Sequence, residues 1–270
     1  MRGGLGGFGV GLRGVHYATL RARPPAAWGC DFFEALTENY LDDHGFGRDT
    51  LRFIASHRPV VLHGVSLSIG GRDPFDSAWL GRLRALADEV RAAWVTDHLC
   101  WTADRGWQSH DLLPVPYTLA MLAWCARRVD AVQQALGRPI ALENPSAYVH
   151  TAESTIPEWA FLSELADATG CGLLVDVNNV FVSCANLGWD PRAWLDGVAA
   201  ERVMQLHLAG PRREGDLWID THDQPVLDEV WALYDRFRVR APEAPVLLEW
   251  DADIPDFDAL VGQLARARSR

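Results

Sequence analysis

Six short segments of this 270-residue chain run from an apolar body into a side chain that can bind a metal or move a proton. They are Val60-Val61-Leu62-His63, Ala93-Trp94-Val95-Thr96-Asp97-His98, Pro139-Ile140-Ala141-Leu142-Glu143, Leu173-Leu174-Val175-Asp176, Val203-Met204-Gln205-Leu206-His207 and Val246-Leu247-Leu248-Glu249. Short apolar runs of this kind read as buried strands. Side chains alternate faces along a strand, so His63 shares a face with Val61, Glu143 with Ala141, Asp176 with Leu174 and Glu249 with Leu247. If the strands are parallel and close on one another, the terminal groups meet at one mouth. Burying several charges there costs several kcal/mol per ion unless a cation offsets it, and a multivalent metal removes that objection. His63, His98 and Glu143 form two imidazoles and a carboxylate, a set that suits non-haem iron with open coordination positions. Asp176, His207 and Glu249 form a second set, and Glu143 lies between the two in strand order, where its two oxygens can bridge both ions. Asp220 and His222, two apart in an extended segment, point the same way and are candidates for a third ion with Asn178 or Asn179.

A single histidine at a strand end is more often a hydrogen-bonded core residue, and a single Asp or Glu there is often a helix cap. Six strands ending alike are not explained in that way. Asp97 neighbours His98, so it faces away from the mouth and reads as a supporting or capping group. His110, His16 and Glu34 rank lower as site residues, and His44, His57 and His150 read as surface.

The elements that must position these groups follow in order. Strands are expected over residues 8–12, 31–36, 60–63, 93–98, 139–143, 173–176, 203–207 and 246–250. Helices are expected over 49–56, over 79–90 behind Asp76 or Ser77, from Pro116 to the stop at Gly137, over 156–169 before Gly170, over 190–198, over 226–237, and from Phe257 onward. Glu38-Asn39-Tyr40 falls in a loop. Residues 101–114 and 208–224 read as long polar loops, a length that in compact domains usually serves function or motion. Strand and helix alternating eight times predict an α/β fold, a (β/α)8 TIM barrel, as a single domain over residues 1–270, with the site at the C-terminal ends of the strands.

The apolar fraction of 49 % is ample for such a core. A net charge of −11, from 36 acidic against 25 basic residues, disfavours a nucleic-acid backbone or an anionic membrane as partner. No run reaches the ~18 apolar residues of a membrane span and the N-terminus is not a secretory signal, so a soluble cytoplasmic protein is expected. The five cysteines contain no C-x-x-C pair, which argues against both a disulfide framework and a thiolate zinc site. The glycine-rich opening around Gly6 to Gly11 lacks the spacing of a phosphate loop, and Gly64-Val65-Ser66-Leu67-Ser68 is not a serine-hydrolase elbow.

The segments Gly11-Leu12-Arg13, Glu38-Asn39-Tyr40, His63-Gly64-Val65-Ser66-Leu67-Ser68, Asp97-His98-Leu99, Leu112-Leu113-Pro114-Val115-Pro116-Tyr117, Glu143-Asn144, Asp176-Val177-Asn178-Asn179, His207-Leu208-Ala209-Gly210, Asp220-Thr221-His222 and Glu249-Trp250-Asp251 carry a further reading. In this order they resemble the multinuclear non-haem iron-dependent oxidative enzymes of the methanobactin-biosynthesis type. The resemblance implies a TIM barrel holding two or three iron ions and using dioxygen to modify residues, commonly cysteine, in a ribosomally made precursor peptide. It places ligands at His63, His98, Glu143, Asp176, His207 and Glu249, with Asp220 and His222 for a third ion, and it implies a separate peptide-recognition partner protein. Trp101, Trp107, Arg212, Arg213 and Trp218, on the two long loops, are candidates to hold an extended peptide. Two readings from other classes use the same donors. One is a redox-inert metal barrel that isomerises a sugar or hydrolyses a phosphoester, and the other is a metal-binding protein without catalysis.

Overall fold

The computed structural model describes residues 5–270, so residues 1–4 of the domain expected over 1–270 lie outside the described residues. Eight parallel strands close into a barrel: β1 (Phe8–Gly11), β2 (Phe32–Leu36), β3 (Val60–Gly64), β4 (Val95–His98), β5 (Ile140–Glu143), β6 (Gly172–Asp176), β7 (Val203–Leu208) and β8 (Val246–Leu248). Each pairs with its neighbour in sequence, and β8 returns to pair with β1. This is the expected TIM barrel. Because both sheet faces are covered, the strands read as continuous apolar runs rather than as alternating ones.

The barrel interior is layered. Phe32, Val61, Trp94 and Leu247 form a buried cluster of their own, and each lies two or four residues before a polar group on the same face of its strand. The alternation that buries these four therefore lifts Glu34, His63, His98 and Glu249 towards the mouth. Outside the sheet, Phe33, Leu62, Leu142, Leu173 and Leu206 are fully covered by the helices, each contributing about 1.5–3 kcal/mol by burial.

Local chemistry explains where the observed elements depart from expectation. Phe46–Ala55 begins three residues earlier than residue 49 because the Asp43 carboxylate accepts from the backbone N–H groups of Gly45 and Arg48. Glu38–Leu41 is a short helix rather than loop. The long helix starts at Leu119, not at Pro116: Thr118 is extended, and its hydroxyl accepts from Met121 N at 3.1 Å. Residues 101–114 are not an open loop but an antiparallel hairpin of Trp101–Asp104 with Trp107–Leu113, and Arg212–Glu214 pairs likewise with Leu217–Ile219. Val177–Leu187 is a helix that no strong periodicity announces, since most of its first two turns is buried. No helix among the described residues is long and apolar enough to cross a membrane.

Candidate metal centre

The register of β3, β4 and β5 assembles the first group, pairing His63 with Thr96 and His98 with Glu143. His63 Nε2 and His98 Nε2 each lie 3.3 Å from Glu143 Oε2. Their tautomers follow from what the other ring nitrogens meet. His98 Nδ1 is 3.1 Å from the carbonyl oxygen of Gly64, which can only accept, so Nδ1 carries the hydrogen. His63 Nδ1 is 2.7 Å from Thr96 Oγ1, whose own hydroxyl is directed to Leu62 O, so this ring has the same assignment. Two imidazole lone pairs therefore converge on a carboxylate oxygen that has no hydrogen-bond partner.

β5 to β8 supply a second group. Asp176 pairs with His207 across β6 and β7, and Glu143, Asp176, His207 and Glu249 offer atoms that all lie within 4.8 Å of one another. His207 Nδ1 is 3.0 Å from Glu249 Oε2, 3.7 Å from Glu143 Oε1 and 3.9 Å from Asp176 Oδ2. Asp176 has two tasks: Oδ1 caps the following helix by accepting from Asn179 N at 2.7 Å, while Oδ2 has no partner. Asn144 fastens β5 to β6, donating to Asp176 O at 3.0 Å and accepting from Asp176 N at 2.9 Å.

His222, Glu249 and Asp251 make a third group. His222 Nε2 lies 2.7 Å from Asp220 Oδ1, outside hydrogen-bond alignment, and Asn178 Nδ2 donates to the same oxygen at 2.7 Å. Asp220, His222 and Asn178 thus come together as the sequence reading had them. Asp251, which that reading did not nominate, stands 3.3 Å from His222 Nδ1. The signal was present, because Asp251 is two residues beyond Glu249 and so on the same side of an extended chain. Arg13 was also missed. It follows β1, donates to Trp250 O at 3.0 Å, bonds Asp251, and lies 3.5 Å from Glu249.

Asp97 faces away from the cluster as expected, accepting from Leu67 N and His98 N at 3.1 and 2.7 Å. His16 is buried against Pro255 O, and His44, His57, His110 and His150 are exposed. The five candidate peptide contacts sit on the two hairpins. Trp101 and Trp107 pair with ring centroids 6.3 Å apart, Arg213 lies over Trp218, and Arg212 bonds Asp223. None of the five lines the 380 Å³ cavity above the cluster, whose walls include Arg13, Asn39, His63, His98, Leu112 and His222. A larger space of about 460 Å³ lies at the opposite end of the barrel, beside Trp94, Gly172, Met204 and Pro245, away from all three groups. All five cysteines are buried free thiols.

Burial and mutual charge set the electrostatics. Burial pushes His63 and His98 down to about 3, so both imidazoles are neutral. Burial also raises Asp176 to about 6 and pushes Glu143 well above the usual carboxylate range. For Glu249 burial acts upward too, but His207 and His222 outweigh it and hold this carboxyl low. Burial opposes the charge on His207, yet the carboxylates of Glu34, Glu249 and Glu143 raise it well above an ordinary histidine. Two neutral imidazoles beside a carboxyl that resists ionising, and two further imidazoles that hold a proton among carboxylates, are what a buried donor set shows before a cation takes the place of those protons. With the unpartnered atoms on Glu143, Asp176, His207 and His222, these clusters are able to bind metal.

Gly210 allows the third group to form. A Cβ there would lie 2.0 Å from the backbone oxygen of Gln224 and 2.5 Å from that of Pro225. Gly210→Ala is therefore expected to displace the 220–224 segment and to lose bound metal while keeping the barrel. Metal content and circular dichroism measured together check this, and unchanged metal content would contradict it.

Fold and site together define a TIM barrel with buried histidine–carboxylate clusters that could hold metal ions. The chain belongs to the family described as RiPP precursor modification enzyme MbnB/TglH/ChrH, whose model matches residues 7–270. It is 45 % identical over 265 residues to a UPF0276 protein of Caulobacter vibrioides, covering 98 % of this chain and 94 % of that one. A UPF0276 protein of Anaeromyxobacter is 44 % identical over 262 residues, covering 97 % and 91 %. Among solved structures, endonuclease IV from Thermus thermophilus superposes with a TM-score of 0.62 at 16 % identity, covering 96 % of this chain and 97 % of that one. A 3-keto-D-glucoside 4-epimerase from E. coli gives 0.60 at 16 %, covering 97 % and 99 %. At that identity these two likenesses speak for the fold alone.

Proposed function

We propose that this protein uses iron and dioxygen to modify a residue, cysteine in the first place, of a ribosomally synthesised precursor peptide. Membership of the precursor-modification family supports the peptide, and Glu143 supports the metal. One of its oxygens faces two imidazole lone pairs at 3.3 Å and the other faces His207, the placement expected of a carboxylate shared by two ions. In this reading His63, His98 and Glu143 hold one iron and Glu143, Asp176, His207 and Glu249 another. Asp220 and His222 serve a third, with Asn178 and, from the geometry, Asp251. Iron bound there supplies one-electron chemistry and a place for dioxygen.

The chain's own groups prepare that chemistry. Thr96 and Gly64 O fix the His63 and His98 rings, so no reorientation is needed when ligands bind. Burial of His63, His98, Glu143, Asp176, His207 and Glu249 excludes bulk water from these donors. The cavity of about 380 Å³ admits one side chain of a peptide rather than a folded partner. Arg13 at its wall supplies a positive group to orient the backbone of that residue. Trp101, Trp107, Arg212, Arg213 and Trp218 then serve the flanking residues along the rim. Trp107 and Leu217 on the two hairpins, Leu119 at the start of the long helix and Val149 after β5 are exposed on the same side of the barrel, apolar surface that fits a separate partner presenting the peptide.

The donor set also suits zinc or manganese, so the redox-inert reading is separated by metal analysis after anaerobic purification. Iron in at least two equivalents with dioxygen uptake supports the proposal, whereas turnover of a sugar or phosphoester with zinc overturns it. Asp220→Ala combined with His222→Ala is expected to cost one ion and to leave the other two groups loaded. Loss of all metal from that variant would assign the pair to the main cluster instead.

A further inference from the structure

We propose that Glu34, clamped from below by Gln205 and Trp94, is a positioning residue that makes His207 present Nδ1, and not Nε2, to the metal centre. Resting on the metal-binding reading above, this assigns a role to three side chains that are not themselves among the proposed ligands. Glu34 lies on β2, Gln205 and His207 share one face of β7, and Trp94 immediately precedes β4. Glu34, Gln205 and His207 are almost wholly buried, and Trp94 nearly so.

The chain of contacts can be read in one direction only. Trp94 Nε1 is a donor and cannot accept, so the Gln205 atom 2.8 Å from it is the amide oxygen. That fixes the amide, and its nitrogen, which can only donate, faces Glu34 Oε2 at 2.6 Å and His207 Nε2 at 2.8 Å. His207 Nε2 is itself 3.1 Å from Glu34 Oε2. These three atoms close a nearly equilateral triangle, whereas the hydrogens of an amide nitrogen lie about 120° apart, so one amide cannot serve both neighbours well. If Gln205 donated to His207 instead, a ring lone pair would face a carboxylate oxygen with no hydrogen between them. The arrangement without that conflict has Gln205 and His207 Nε2–H both donating to Glu34 Oε2. Nδ1 then carries the lone pair, and it is the atom that faces Glu249, Glu143 and Asp176. His63 and His98 present Nε2. The centre therefore mixes both modes, and the difference is made by a carboxylate behind one ring where a hydroxyl and a carbonyl stand behind the others.

The test uses zinc, which is diamagnetic and takes the same donors. In 15N-labelled protein, two-bond proton–nitrogen correlations are expected, in the zinc-loaded form, to place the hydrogen on Nε2 of His207 and on Nδ1 of His63 and His98. Glu34→Leu is expected to lower affinity for one zinc about 10- to 100-fold in chelator competition and to abolish the single-tautomer pattern of His207. Glu34→Gln keeps an acceptor towards Nε2–H and should restore that pattern, a rescue that mere space-filling would not distinguish from leucine. If Glu34→Leu does not fold, Gln205→Met leaves the carboxylate less firmly placed and should lower affinity for one zinc while the hydrogen stays on His207 Nε2. In the zinc-loaded natural protein, a hydrogen on His207 Nδ1 with zinc on Nε2 overturns the proposal, as does unchanged zinc affinity with an unchanged tautomer in either variant. Because the tautomer is read on the zinc form, without iron and without dioxygen, failure of the iron-oxidase reading and failure of this one give different results.

Discussion

Glu143→Gln is expected to strip the centre of most of its metal and to abolish turnover while leaving the barrel folded. The substitution keeps size and shape but removes a charge and turns one acceptor oxygen into an amide donor. That amide would face the Nε2 lone pairs of His63 and His98, where Oε2 now stands at 3.3 Å from each, and would hydrogen-bond to them instead of sharing a cation. The loss in metal affinity should exceed the ~10–100-fold that removal of an outer-shell partner costs, because a donor common to two ions is lost. Burial already pushes the natural carboxyl strongly towards its neutral form, so the metal-free variant should melt no lower than the metal-free natural protein. Metal content after gel filtration, read beside the melting temperature, checks both halves. Full metal content with full turnover would show that Glu143 does not bridge.

Removing metal should reverse the pH dependence of stability. Without a cation, Asp176 is raised to about 6 and Glu143, His207 and His222 well above their ordinary values. Each such group holds its proton more tightly folded than unfolded, so its contribution is complete below the unfolded pKa and is lost as pH rises through the folded one. Asp97, raised to about 8 by burial and by Glu38, acts in the same direction. His63 and His98, lowered to about 3 from 6.5, oppose this only below 6.5, and Glu249 only as pH falls below the ordinary carboxylate range. Above about 6.5 the metal-free protein should therefore lose stability as pH rises. Metal binding runs the other way, since protons compete for the same donors. At free metal near 1,000 times Kd the ion adds about 4 kcal/mol, on the order of 10 °C for a chain of this size. The gap in melting temperature between loaded and stripped protein should widen from pH 6.5 to 8.5. A constant gap would mean that the buried carboxylates are not metal ligands.

The site was legible because six of the eight strands run into a histidine or a carboxylate, and a two-residue period carries that side chain to the mouth. His63, His98, Glu143, Asp176, His207 and Glu249 all meet there for this one reason. Elements whose order comes from tertiary contact were less legible. Val177–Leu187 is capped by Asp176 and buried on most sides, so it lacks the polar face that marks an amphipathic helix. The two hairpins carry polar, exposed strands, and Arg105 and Gly106 make the first turn with positive φ, a signal easily taken for plain loop. Glu34 is less legible in the sequence because it sits inside β2 instead of at its end. Its importance appears only when β7 is known to set Gln205 and His207 against it.

The proposed oxidative modification of a peptide cysteine at an iron centre is tested by one paired measurement. Iron-loaded and zinc-loaded protein are each given a cysteine-containing precursor peptide, with its partner protein where one is needed, and dioxygen uptake is followed with the mass of the peptide. Uptake and a mass change with iron alone, both abolished when the peptide cysteine is replaced by serine, are the predicted result. An equal mass change with zinc, or unaltered modification of the serine peptide, would contradict it.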